Sequence, residues 1–111
     1  MRILITGGSG FLGARLARQL LAIPGMPLGG RASQTLEQLW LTDLVPPPAD
    51  LTADARVHAL TGDLLNLLTS GELALAGIDA VVHLAAAVSG DCERDLDLGL
   101  RSNLDTTLAL L

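Results

Sequence analysis

An uninterrupted apolar run, Ile3-Leu4-Ile5, closes in Thr6-Gly7-Gly8-Ser9-Gly10-Phe11-Leu12-Gly13, and this turn constrains the chain more than any other feature. A short, fully apolar run has the pattern of a buried parallel strand. Phe11 to Ala22 then follows with helical spacing, Leu12, Leu16 and Leu20 recurring every four residues until Pro24-Gly25 stops it. In a strand–turn–helix unit each glycine has a separate reason. Gly7 permits the tight turn, Gly10 lets the backbone approach a pyrophosphate, and Gly13 lets the helix lie close on the sheet. The first helical N–H groups, near Phe11 and Leu12, would face the phosphates with the helix dipole behind them. A tight turn with no ligand could carry the same glycines, but the strand before and the helix after are the context a dinucleotide site requires.

The remaining pattern repeats the unit. Leu39-Trp40-Leu41-Thr42-Asp43 reads as a second strand ending in an acid, after a Pro- and Gly-rich connection over residues 23–37 with a helical turn near Gln34 to Gln38. Pro46-Pro47-Pro48 marks an extended surface loop. Arg56 to Thr61 reads as a third strand, Leu64 to Leu75 as an irregular helix, Ile78 to Ala85 as a fourth strand, and Asp97 to Leu111 as a helix with Leu100, Leu104, Leu108 and Leu111 on one stripe. Strands alternating with helices predict an α/β fold, a Rossmann-like, doubly wound parallel sheet of about four strands, the N-terminal half of such a sheet. One domain spans residues 1–111. The helix running up to Leu111 without a capping glycine reads as the chain of a longer protein, truncated at its C-terminus.

Asp43, at the end of the second strand, sits where an acid accepts hydrogen bonds from the adenosine ribose and repels a 2′-phosphate, which selects NAD over NADP. The usual spacing from the glycines is roughly 20 residues; here it is about 30, and the loop over 23–37 accounts for the excess. A surface acid at a strand end is the plainer alternative. Asp63 could meet the adenine amine, could cap the following helix, or could do both. His58 and His83 lie in apolar strands without partners at metal-ligand spacing and read as structural, and Trp40 reads as packing. Cys92 stands among acids that disfavour a thiolate.

Composition excludes several classes. The net charge of -5 argues against a nucleic-acid partner, because polyanions are bound by basic faces. No stretch reaches the ~18 apolar residues of a membrane span, and a single cysteine fits a reducing compartment, so a soluble cytoplasmic protein without a metal site is expected. All seven basic residues are Arg, and there is no Lys and no Tyr. Schiff-base lysine and Tyr–Lys chemistry are therefore outside these residues.

Arg2 to Gly13 resembles the opening of the extended short-chain dehydrogenase/reductases, the NAD-dependent epimerase/dehydratase group. Thr61-Gly62-Asp63-Leu64, His83-Leu84-Ala85-Ala86 and Asn103-Leu104-Asp105-Thr106-Thr107 resemble that family's next signatures, in order. Asp43-Leu44-Val45-Pro46-Pro47, Leu84 to Gly90 and Asp95 to Gly99 are closest in character to its D-erythronate dehydrogenase branch, whose members oxidise a four-carbon sugar acid at C2 with NAD. The resemblance implies NAD as cofactor. Gly7, Gly10, Phe11, Leu12 and Gly13 would hold the pyrophosphate, Asp43 the ribose, and Asp63 with Leu64 would flank the adenine. Leu84, Ala85 and Ala86 would line the nicotinamide side, Asn103 would position backbone and cofactor, and Ser89 would lie where substrate enters. The resemblance further implies a homodimer and a small sugar-acid substrate, with a nucleotide-sugar epimerase or dehydratase, or a non-catalytic NAD(H)-binding module, as alternatives. The family's Tyr-x-x-x-Lys pair has no counterpart here, so no catalytic residue is expected in this chain and the fragment alone should be inactive.

Overall fold

The computed structural model describes residues 1–86 and 93–111. Four parallel strands, β1 (Arg2–Thr6), β2 (Gln38–Asp43), β3 (Val57–Thr61) and β4 (Ala80–His83), form one sheet in the order β3-β2-β1-β4. β1 is central because its residues are apolar on both sides. Side chains alternate along a strand, so Ile3 and Ile5 face one way and Leu4 the other.

Helix α1 (Phe11–Ala22) and the short α2 (Ala49–Thr52) cover the first face, where Ala14, Ala17, Leu20 and Leu51 meet Ile3, Ile5, Leu39 and Leu41. Helix α3 (Leu64–Ser70) and the C-terminal helical run cover the second, where Leu64, Leu67 and Leu73 surround Leu4, with Trp40, Ile78 and Leu110 against them. Helices on both faces of a parallel sheet make the doubly wound arrangement expected from the alternation. His58 packs as expected, stacked on Trp40 with ring centroids 4.7 Å apart.

Local chemistry corrects several boundaries. Residues 34–38 make no helical turn: Gln34 pairs with Met26 in an antiparallel bridge, which delivers Leu36 to the core. The proline run leads into α2, with Pro48 at its N-cap. Asp63 caps α3 by accepting the Asn66 N–H, and Gly71 ends it in the left-handed region at φ 82°, well short of residue 75. β4 is shorter than the apolar run containing it, because Leu84 to Ala86 leave the sheet. Among the described residues no helix is long and apolar enough to cross a membrane.

The C-terminal run contains α4 (Leu96–Gly99), a π-helical segment (Leu100–Asp105) and α5 (Thr106–Leu110). The Thr106 N–H and Oγ1 both donate to the Arg101 carbonyl, five residues back. A π turn holds more residues than an α turn, so counting by fours fails across it. The buried residues are Gly99 and Thr106, and Leu110 joins the core. The expected leucine stripe, Leu100, Leu104, Leu108 and Leu111, is exposed instead.

Candidate cofactor site

Strand ends converge on the glycine turn and hold it from both sides. The Gly7 and Gly8 N–H groups donate to the Thr42 carbonyl of β2 at 2.8 and 3.0 Å. From the other side, Thr6 Oγ1 accepts the Leu84 and Ala85 N–H groups at 3.1 and 3.2 Å. Gly7 itself has φ 72° and its missing side chain would meet Ala85 N at 3.0 Å, so conformation and space both demand glycine. Gly13 is held by packing alone, since a Cβ there would fall 2.2 Å from the Gly7 carbonyl oxygen.

Gly10 differs from both. It lies in extended backbone (φ -71°, ψ 170°) that any residue adopts, and a Cβ there would touch only the Gly7 oxygen, at an ordinary 3.4 Å. Nothing within the described protein requires a glycine at this position. Gly10 starts α1, no side chain caps that helix, and the residue faces a cleft.

The cleft encloses about 360 Å³, within the range of small-ligand pockets. Of the residues singled out from sequence, Gly7, Gly10, Asp43, Asp63, Leu64, Leu84, Ala85 and Ala86 line it. Phe11 and Leu12 stand exposed at the start of α1, and Gly13 is buried beneath the turn. Asn103 lies on the exposed side of the C-terminal run, its carbonyl accepting the Thr107 hydroxyl; Ser102 and Thr106 of the same run face the cleft instead. Ser89 and Cys92 lie outside the described residues. Thr42, Leu44, Gly62 and Leu98 also line the cleft and were not singled out. Gly62, between β3 and Asp63, was the one with a visible signal, a glycine at a strand end.

Asp43 accepts the Ser9 N–H on Oδ2 at 3.0 Å and the Leu44 N–H on Oδ1 at 2.7 Å. A carboxylate oxygen has two acceptor positions, so each oxygen keeps one for a hydroxyl in the cleft. Asp63 accepts the Asn66 N–H and the Arg101 guanidinium on Oδ2, at 3.1 and 2.8 Å. Arg101 also donates to Asn66 Oδ1 at 2.7 Å and so ties the C-terminal run to the start of α3. Among the described residues no cluster of His, Cys, Asp and Glu could hold a metal ion.

This arrangement fits a dinucleotide on its own terms. Gly10 leaves room at a helix N-terminus, where backbone N–H groups and the helix dipole attract phosphate. Two strand-end acids stand at the cleft with acceptor capacity to spare.

Known proteins with the same layout agree. The chain is 46% identical over its whole length to D-erythronate dehydrogenase from Cupriavidus necator, of which it spans 33%. Among solved structures, the nucleoside-diphosphate-sugar epimerase from Agrobacterium tumefaciens superposes with a TM-score of 0.77 at 35% identity, over 99% of this chain and 31% of that one. A double mutant of dTDP-glucose 4,6-dehydratase from Streptomyces venezuelae, crystallised with NAD bound, superposes with a TM-score of 0.73 at 30% identity, over 99% of this chain and 34% of that one. The chain thus spans about a third of the relatives it matches. The model of the NAD dependent epimerase/dehydratase family matches residues 3–111, all but the first two positions, and the chain belongs to that family.

Proposed function

We propose that these residues form the NAD-binding part of a dehydrogenase that oxidises a small sugar acid, with D-erythronate as the first substrate to test. Gly10 carries the cofactor reading: it is free of any internal demand for glycine and opens on the cleft at the start of α1. The pyrophosphate would lie over Gly7 and Gly10 against the N–H groups of Phe11 and Leu12. Asp43 would accept the ribose hydroxyls, Asp63 the adenine amine beside Leu64, and Leu84, Ala85 and Ala86 would line the nicotinamide side. NAD, when bound, supplies the hydride acceptor. The residues here would bind and orient it, and the Tyr and Lys to which the family resemblance assigns proton transfer are not among them.

The sugar-acid substrate is supported by the 46% identity to a D-erythronate dehydrogenase, against 35% for the sugar-nucleotide epimerase. The complete protein would act as a homodimer. Its test is a titration with NADH and NADPH followed by assay on D-erythronate and on UDP- and dTDP-sugars. We expect NADH to bind more tightly than NADPH, Gly10→Val to abolish binding, and NADH to form with D-erythronate. NADPH binding as tight as NADH would remove the role given to Asp43. Turnover of nucleotide sugars without D-erythronate oxidation would replace the substrate.

A further inference from the structure

His83 ends β4 beside the cleft and links three elements. Its Nδ1 lies 2.6 Å from Thr6 Oγ1 at the end of β1, and its Nε2 lies 3.1 Å from Thr107 Oγ1 on α5. Donor accounting fixes the protons. A hydroxyl has one proton to give and two acceptor positions. Thr6 Oγ1 already accepts the Ala85 N–H and shares the Leu84 N–H with the Thr6 carbonyl, which directs its own proton to His83 Nδ1. The imidazole then carries its own proton on Nε2 and donates it to Thr107, whose hydroxyl donates onward to the Asn103 carbonyl at 2.8 Å. The chain of donors is complete only with a neutral ring. A proton added at Nδ1 would face a hydroxyl that already accepts the Ala85 N–H and part of the Leu84 N–H, and would displace one of them.

The three linked elements each supply a wall of the cleft: the turn after Thr6, the segment Leu84 to Ala86, and the C-terminal run just before Thr107. We propose that His83 is a positioning residue, which as the neutral Nε2–H tautomer bolts these three walls into the geometry that accepts the cofactor, so that cofactor affinity follows the protonation of this imidazole. The role rests on the reading of the cleft as a dinucleotide site. The ionisable side chains on the surrounding elements are Arg2 on β1, Asp79 before β4, and Asp97, Arg101 and Asp105 on the C-terminal run. None of them accounts for the state of the ring: burial alone pushes the His83 pKa below its ordinary value.

The test uses the complete protein labelled with 15N-histidine, with the His83 signals identified by their loss in His83→Asn. At pH 7.5 the two-bond 1H–15N pattern should show Nδ1 bare and Nε2 protonated. NADH affinity should fall as the pH is lowered from 7.5 to 5.5, whereas His83→Asn, which keeps an acceptor for Thr6 but cannot titrate, should bind about fivefold more weakly at pH 7.5 and lose the pH dependence. Thr107→Val, which removes the acceptor of the Nε2–H, should weaken NADH by a similar factor, and Thr107→Ser should restore it. A proton on Nδ1 at pH 7.5, or the same pH profile in His83→Asn as in the native protein, would overturn the role even where NADH binds normally. Failure of the native protein to bind NADH at any pH would overturn the dinucleotide reading, and this role with it.

Discussion

Gly13→Ala and Gly10→Ala are the same chemical change three residues apart, and the structure separates their consequences. At Gly13 the new methyl would sit 2.2 Å from the Gly7 carbonyl oxygen and 2.9 Å from Gly8 Cα, where ordinary contact begins at 3.4 Å. Both are backbone atoms of a turn held by hydrogen bonds to β2, so neither yields easily. Helix α1 must retreat by about 1 Å, enough to forfeit a quarter to a half of the dispersion energy of each contact it opens. The contacts at stake are those of Ala14, Ala17 and Leu20 with the sheet. Overpacking of this kind costs about 1–3 kcal/mol, and the upper end applies because backbone is struck. Alanine recovers about 1 kcal/mol through helix propensity, leaving a net loss of about 2 kcal/mol. At Gly10 the methyl makes one ordinary contact, and the change at the N-cap should stay within about 1 kcal/mol. Urea unfolding and NADH titration of the complete protein, on both variants, check the pair. Gly13→Ala should lower the unfolding midpoint, while Gly10→Ala should leave it nearly unchanged and weaken NADH at least tenfold. A Gly10→Ala protein that binds NADH normally, or a Gly13→Ala protein as stable as the parent, would refute the division of labour.

Thr42 Oγ1 is buried without a hydrogen-bond partner among the described residues, so Thr42→Val should stabilise by about 1 kcal/mol in thermal or urea unfolding. Hydrogen bonds from the Arg56 side chain and N–H hold the Asp54 carboxyl at about 2, below its ordinary 3.8. A lowered pKa contributes stability above the ordinary value that is lost as the pH falls toward 2, so Asp54→Asn should flatten the acid limb of the stability profile between about pH 4 and 2. Arg101→Met should free the Asp63 carboxylate from its ion pair and weaken NADH binding severalfold in fluorescence titration, with little effect on NADH binding expected from the exposed Arg18→Met. The isolated 111-residue chain exposes Leu100, Leu104 and Leu108 along one helical run and should self-associate in light scattering.

Sequence was most informative where a residue's reason is local. The limits of α1 follow from Gly10 before it and Pro24-Gly25 after it. Asp43, which ends β2, and Asp63, just past β3, were legible because an acid closing an apolar run is a local pattern. The π segment was not legible, because it depends on Thr106 reaching Arg101 rather than on any propensity of Leu100 to Asp105. Leu110, which is not on the leucine stripe, reaches the core for the same reason. The pairing of Arg101 with Asp63 joins residues 38 positions apart, and no short-range rule relates them. His83 was read as structural from its apolar neighbours; its two hydroxyl partners come from elements that only the fold brings together.

The placement of β1 at the centre of the sheet also has a consequence for synthesis. The strand leaves the ribosome before β2, β3 and β4, and α1 follows within twenty residues to cover Ile3 and Ile5. Leu4, on the opposite face, waits for Leu64, Leu67, Leu73 and Leu110. At about 5–20 residues per second, Leu64 emerges about 3–12 s after Leu4. Through that interval one side of the most buried strand is open to water, to chaperones or to another nascent chain, and Leu4 is where a co-translational binding partner would gain its hold.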